Sequence, residues 1–203
     1  MKLLFKKEFD GDMEKLPSRE VEGAVPFKEP ESMKKLSIIA NTIALIISAV
    51  LIAAVIFVSR RSESFSLDSL MLYLVIASVL FIISSPIHEL LHAICFRETV
   101  EFYTYLRKGL MFIVGTESMT KIRFIFMSLL PNIVFGFVPL VLFFIFPSQL
   151  WLGLFGAVSI GSGAGDYINV FNAATQMPKG SLCFLSKNRS YWYMPNRKKS
   201  NNL

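Results

Sequence analysis

Histidine is almost missing from this chain: two residues in 203, and both fall inside one five-residue stretch. Cysteine is as rare. Cys95 and Cys183 stand far apart, which excludes a disulfide framework and any Cys-x-x-Cys metal pair. Charged residues make up only 18% of the chain, against 53% apolar residues gathered in long blocks, so an ordinary soluble domain is excluded as well. The first thirty residues carry mixed charge and no apolar core segment, and no cleavable secretory signal is expected there. The glycine-rich run Gly161-Ser162-Gly163-Ala164-Gly165 lacks a surrounding βαβ unit, which excludes a dinucleotide loop. Acidic residues are outnumbered by basic ones, 15 to 21, but the cations sit beside the apolar blocks. They read as topology signals and anionic-lipid contacts; no nucleic-acid partner is expected.

What is present is membrane composition. The pattern predicts an all-α integral membrane protein with about four transmembrane helices. A charged N-terminal tail over 1–35, with Pro17, Pro26 and Pro30, precedes a first span and loop over 36–66. The second span starts near Leu67, with Pro86 predicting a kink. Residues 97–121 differ in texture: Val100–Leu106 and Leu110–Val114 read as a short β-hairpin or, equally well, as a connecting loop. A third span over Ile122–Phe146 is interrupted by Pro131-Asn132 and Pro139, which predicts a kinked or partly unwound helix. A fourth runs from about Gln149 to Ala174. Its small residues Gly153, Ala157, Gly161 and Gly165 recur every four positions, a stripe where another helix can pack closely. The rest, 176–203, reads as a basic tail with Lys179, Lys187, Arg189, Arg197, Lys198 and Lys199.

Both histidines lie in His88-Glu89-Leu90-Leu91-His92, near the end of the second span. On a helix, residues four apart share a face about 6 Å apart along the axis, so His88 and His92 can grip one metal ion. Glu89 stands beside the first ligand, where it can hold a metal-bound water and accept its proton. The bland alternative is a pair of histidines satisfied by hydrogen bonds inside a bundle. Three ionisable groups in one apolar segment are costly without a partner, which favours the metal.

Four spans put both termini on one side of the membrane. Lys34, Lys35, Arg97, Arg107, Lys108, Lys121, Arg123 and Lys179 flank that side, against Arg60 and Arg61 opposite, so both termini are expected in the cytoplasm of a multi-pass cell-membrane protein. Spans two and four then run in the same direction. His88 is 18 residues beyond Leu70, and Asp166 is 17 beyond Gln149, nearly the same depth. Asp166 is thereby a candidate third ligand, its alternative being a helix-bridging or capping carboxylate. Two histidines and an aspartate would leave a fourth tetrahedral position open, the catalytic pattern for zinc. Glu98, Glu101 and Glu117 are the acids to turn to if Asp166 is not the third.

At these residues the chain resembles the membrane-embedded zincin metallopeptidases, an uncharacterised bacterial family allied to the site-2 proteases. The likeness covers about 67–175 and rests on His88-Glu89-Leu90-Leu91-His92, the extended connection, the proline-containing span and Gly165-Asp166-Tyr167-Ile168-Asn169. It implies a core of three transmembrane helices, zinc on His88, His92 and Asp166, and Glu89 as general base. Site-2 proteases usually carry Asp-Gly after an upstream Asn and Pro, whereas Asp166 is followed by Tyr167 with no Asn or Pro in the dozen residues before it. The transition-state stabiliser is therefore unassigned, with Asn169 and Asn132 as candidates. No PDZ-sized recognition domain fits in the remaining length.

The leading expectation is a zinc-dependent endopeptidase acting on membrane or membrane-interface substrates. Its partners would be a membrane protein or peptide substrate and the bilayer itself, with an oligomer left open. Two alternatives stand beside it: a non-catalytic immunity, regulatory or scaffold protein retaining a metal site, and a metal transporter. No second acidic or histidine-rich station lines a path, which weighs against transport.

Overall fold

The computed structural model describes residues 1–29, 33–60 and 65–195. Pro30, the loop from Arg61 to Ser64, the side chain of Lys34 and the cations Arg197, Lys198 and Lys199 lie outside the described residues.

A mostly apolar stretch with no ionisable group after Lys35 forms the first long helix, α1 (Met33–Ser59). The second, α2 (Leu67–Ala93), begins at a reciprocal cap. Ser66 Oγ accepts from the Ser69 N–H at 3.1 Å, and Ser69 Oγ accepts from the Ser66 N–H at 2.9 Å. It continues through Pro86, with Ser84 Oγ donating to the Phe81 carbonyl at 3.0 Å. The third rod is composite: α3 (Lys121–Asn132), a π-helical turn (Ile133–Phe137) and α4 (Val138–Ile145). The irregularity expected from Pro131-Asn132 thus takes the form of a widened turn. Three helices, Lys35–Ser59, Leu67–Ala93 and Lys121–Ile145, are long and apolar enough to cross a membrane. Ile38, Leu45, Val50 and Phe57 on α1, and Met71, Val75, Val79 and Ile82 on α2, face outward. This is compatible with a membrane protein.

The fourth expected span is not one helix. It breaks at Gly163 into α5 (Leu150–Ser162) and α6 (Ala164–Gln176). At 13 residues, α5 is about 20 Å long, short of the about 30 Å a hydrocarbon core spans. It packs against α1, α2 and α4, with Leu154 and Ala157 fully buried. The small-residue stripe explains that position. A Cβ at Gly161 would lie 2.8 Å from the Ala44 carbonyl oxygen, and one at Gly153 would run into Phe143 and Val55. A Cβ at Gly165, beyond the break, would meet nothing within 4 Å, so this last member of the stripe takes no part in the packing.

The expectation of an all-α fold is overturned: seven strands among the described residues form two sheets. The first has the order β1 (Lys2–Phe5), β3 (Thr99–Tyr105), β4 (Leu110–Val114). The β3–β4 hairpin, one of the two readings of that stretch, pairs Glu101 with Val114 through Tyr105 with Leu110, and Gly109 turns it at φ +61°. β1 joins β3 in parallel, Lys2 opposite Thr99. The second sheet has the order β2 (Val25–Pro26), β7 (Arg189–Tyr193), β6 (Leu182–Ser186), β5 (Met119–Thr120). Both segments expected to be tails are therefore sheet-forming. The reasons differ: β1 and β2 find their partners about 97 and 165 residues away, outside any local pattern, whereas β6 and β7 form a local hairpin turning at Lys187-Asn188, whose cations read as a basic tail.

Chain connectivity places both sheets at one end of the helices. β2 precedes α1, β3 follows α2, β5 precedes α3 and β6 follows α6. A buried cluster of Phe27, Ala93, Phe96, Val100, Met119, Phe124, Met127, Ala173, Met177 and Cys183 welds this junction together.

Candidate metal centre

His88 and His92 occupy the last turns of α2, with the sheet junction immediately beyond. Their spacing of four stacks the rings on one face, centroids 4.9 Å apart. Asp166 arrives from the first turn of α6, because the break at Gly163 redirects the chain. His88 Nε2 lies 3.4 Å from Asp166 Oδ2, and His92 Nε2 lies 3.3 Å from Asp166 Oδ1. His88, Glu89 and His92 form a separate close group, their ligand atoms all within 4.8 Å of one another. The structure therefore brings together His88, Glu89, His92 and Asp166, the four residues singled out from sequence.

The chemistry of these donors can be tested against zinc. Separations of 3.3 and 3.4 Å are long for an N–H···O hydrogen bond. With metal–ligand bonds of about 2.0–2.1 Å, neighbouring corners of a tetrahedron lie about 3.3–3.4 Å apart. His92 Nδ1 is 2.8 Å from the Met127 carbonyl oxygen. A carbonyl can only accept, so Nδ1 carries the proton and Nε2 presents a lone pair toward Asp166. The donor set fits zinc.

Asp166 is itself held. Asn132, only 1% exposed at the end of α3, donates from Nδ2 to Asp166 Oδ2 at 2.8 Å. The hydroxyl of Tyr167 donates to Asn132 Oδ1 at 3.2 Å. Sequence offered Asn132 as a candidate transition-state stabiliser, whereas its amide is spent on Asp166; the neighbouring Tyr167 and the main chain of Met127 were not foreseen. A tyrosine next to the acid carried a weak signal, a main-chain carbonyl none.

Two of the fallback acids, Glu101 and Glu117, are engaged elsewhere. Glu101 pairs with Lys6 at 3.2 Å and accepts from the Tyr103 hydroxyl. Glu117 lines the same cavity, but it binds Arg123 Nη1 at 2.5 Å and the main-chain N–H groups of Arg97 and Glu98. Burial works to raise the Glu117 pKa; the guanidinium and the two N–H groups outweigh it and hold the carboxyl below its usual range. Arg123 also donates to the Cys95 carbonyl through Nε at 3.0 Å and Nη2 at 2.6 Å. The end of α2 is pinned close behind His92.

The four site residues open into a cavity of about 510 Å³. Phe96, Phe112, Phe124, Met127 and Phe184 give it apolar walls, and Asn169 and Glu29 add polar points. β4 pairs only with β3 among the described strands, and its Phe112 and Ile113 line the cavity.

No curated protein and no solved structure matches the chain. A family model does, over residues 80–182, half of the chain and the part that holds His88, Glu89, His92, Asn132 and Asp166. On that match the chain belongs to the family described as "Putative zincin peptidase".

Proposed function

We propose that the protein is a membrane-embedded zinc endopeptidase, allied to the site-2 proteases, that cuts peptide bonds of membrane or membrane-interface substrates. The observation that carries this reading is the approach of the His88 and His92 Nε2 atoms to the two Asp166 oxygens, at 3.4 and 3.3 Å, with Glu89 beside them in one cavity. Family membership supports zinc as the metal. When bound, zinc acidifies a water and polarises the scissile carbonyl. His88, His92 and Asp166 would hold it. Glu89 takes the proton from the attacking water and returns it to the leaving amine. The outer edge of β4 offers main-chain hydrogen bonds to an extended substrate, and the aromatic walls receive apolar side chains and exclude bulk water. Asn132 is engaged with Asp166, which leaves Asn169, one turn further along α6, to meet the substrate carbonyl.

The three apolar helices support placement in a membrane. Lys35, Arg97, Arg107, Lys108, Lys121, Arg123 and Lys179 belong to the sheet end of the helices and Arg60 to the other, so the sheets face the cytoplasm. His88 is five residues from the end of α2, about 7 Å along the axis, and cleavage takes place near the cytoplasmic interface.

The decisive comparison is Glu89→Gln, which keeps size and polarity but removes the base. It should insert and retain zinc while substrate fragments in cells fall by about 10²–10⁴. Wild-type fragment levels from Glu89→Gln at matched expression would favour a non-catalytic immunity, regulatory or scaffold role.

A further inference from the structure

Resting on the reading of His88, His92 and Asp166 as a zinc site, we propose that Asn132 is its positioning residue, with the missing side chain of Gly163 making its place. The Asn132 amide sets the rotation of the Asp166 carboxylate, so that its two oxygens stay turned toward the two imidazoles.

Four observations converge on this. Asn132 Nδ2 meets the carboxylate at 2.8 Å, the shortest polar contact described for Asp166. The amide cannot flip without losing its partners: Tyr167 donates to its oxygen, and the Ser128 carbonyl, at 3.5 Å, faces its nitrogen beside Asp166. Its burial to 1% exposure means that no water competes for the same donors. A Cβ at Gly163 would lie 1.8 Å from Asn132 Oδ1 and 2.5 Å from its Cγ, so any larger residue must push the amide away.

The local backbone has the features this arrangement needs. Asn132 is the last residue of α3, and the π-helical turn begins at the next position. That turn also carries Gly136 against Ile160 of α5, where a Cβ would come within 2.6 Å. The rod therefore approaches α5 and the α5–α6 break at the level of Asn132. Sequence-distant parts meet at one carboxylate: the rod supplies the amide, the break supplies the space, and α6 supplies both the acid and the tyrosine that orients the amide.

The test uses full-length protein in detergent, with zinc affinity measured by competition against a chromophoric chelator. Asn132→Ala should weaken zinc binding by about 10–100-fold. Gly163→Ala should weaken it to a similar degree, because it displaces the same amide. Once Asn132 is alanine there is nothing left to displace, so the double variant should bind no more weakly than Asn132→Ala alone. The cobalt-substituted protein adds a readout that a merely structural role would not move: its visible absorption bands should shift in Asn132→Ala. Unchanged zinc affinity in that variant overturns the proposal, as does a Gly163→Ala penalty of equal size with and without Asn132. Should Asn132→Ala fail to fold, Tyr167→Phe removes only the hydroxyl that orients the amide. A several-fold loss of affinity there supports the role, and none overturns it. A wild-type protein that binds no zinc overturns the underlying metal site, a failure distinct from loss of the Asn132 effect alone.

Discussion

His92 donates from Nδ1 to the Met127 carbonyl, 2.8 Å away, and so turns its Nε2 lone pair toward Asp166. The helix that continues into the π-helical turn thereby selects the tautomer of a residue on another helix. From this geometry, metal content should be about one zinc per chain. His88→Ala, His92→Ala and Asp166→Ala should each lose most of it on dialysis, measured by elemental analysis. Full retention in Asp166→Ala, with loss in either histidine variant, would remove Asp166 from the set.

Asn169 is expected to act on substrate rather than on metal. Asn169→Ala should keep its zinc, while turnover of a membrane substrate falls by about 10²–10³, the usual effect of losing one donor to a developing oxyanion. Equal turnover, or loss of zinc, would each contradict that role.

Glu117 predicts an acid limit. Its carboxyl is held below the ordinary value of about 4.5, so its tie to Arg123, Arg97 and Glu98 is complete above that value. The stability is lost as pH falls through the lower, folded-state pKa. The protection of the Arg97 and Glu98 amides, taken as exchange relative to the intrinsic rate at the same pH, should then fall by up to about tenfold per pH unit below the ordinary value. Glu117→Gln should abolish the dependence. Protection that does not change with pH in the wild type would show that the tie does not hold the end of α2.

Orientation can be read from single cysteines placed in a Cys95→Ala/Cys183→Ala background. A membrane-impermeant maleimide should label Arg60→Cys from outside the cell and Lys108→Cys only after the cytoplasm is opened. The reverse pattern would invert the topology.

The site was far more legible in the sequence than the fold around it. Histidines at spacing four, with an acid between them, report their geometry through the helical repeat alone. Asp166 could be matched in depth to His88 by counting residues. That count treated 149–174 as one straight helix, yet Gly163 breaks it, and the match in depth survives because the break falls only three residues before Asp166. The sheets were hidden for another reason. Lys2–Phe5 has no period of its own, and it becomes a strand because Thr99–Phe102 offers it an open edge. The hairpin over 99–114 was half legible because its two strands are adjacent in sequence. Asn132 was visible as a polar residue in an apolar span, but its partner could be named only once α3 and α6 lay side by side.

The pairing of Val25–Pro26 with Tyr191–Trp192 sets a timetable for biogenesis. About 165 residues separate these partners, and at 5–20 residues per second a ribosome needs on the order of ten seconds or more to deliver the second after the first. During that interval α1, α2 and the composite rod are already made, and His88 and His92 with them. Phe27, which follows β2 into the buried junction beside Phe124, can settle only when β7 has emerged. The walls of the cavity thus close last, after Asp166 has been synthesised. A nascent chain holds its histidines without a finished chamber around them, and the chamber is complete only once the C-terminal hairpin has docked.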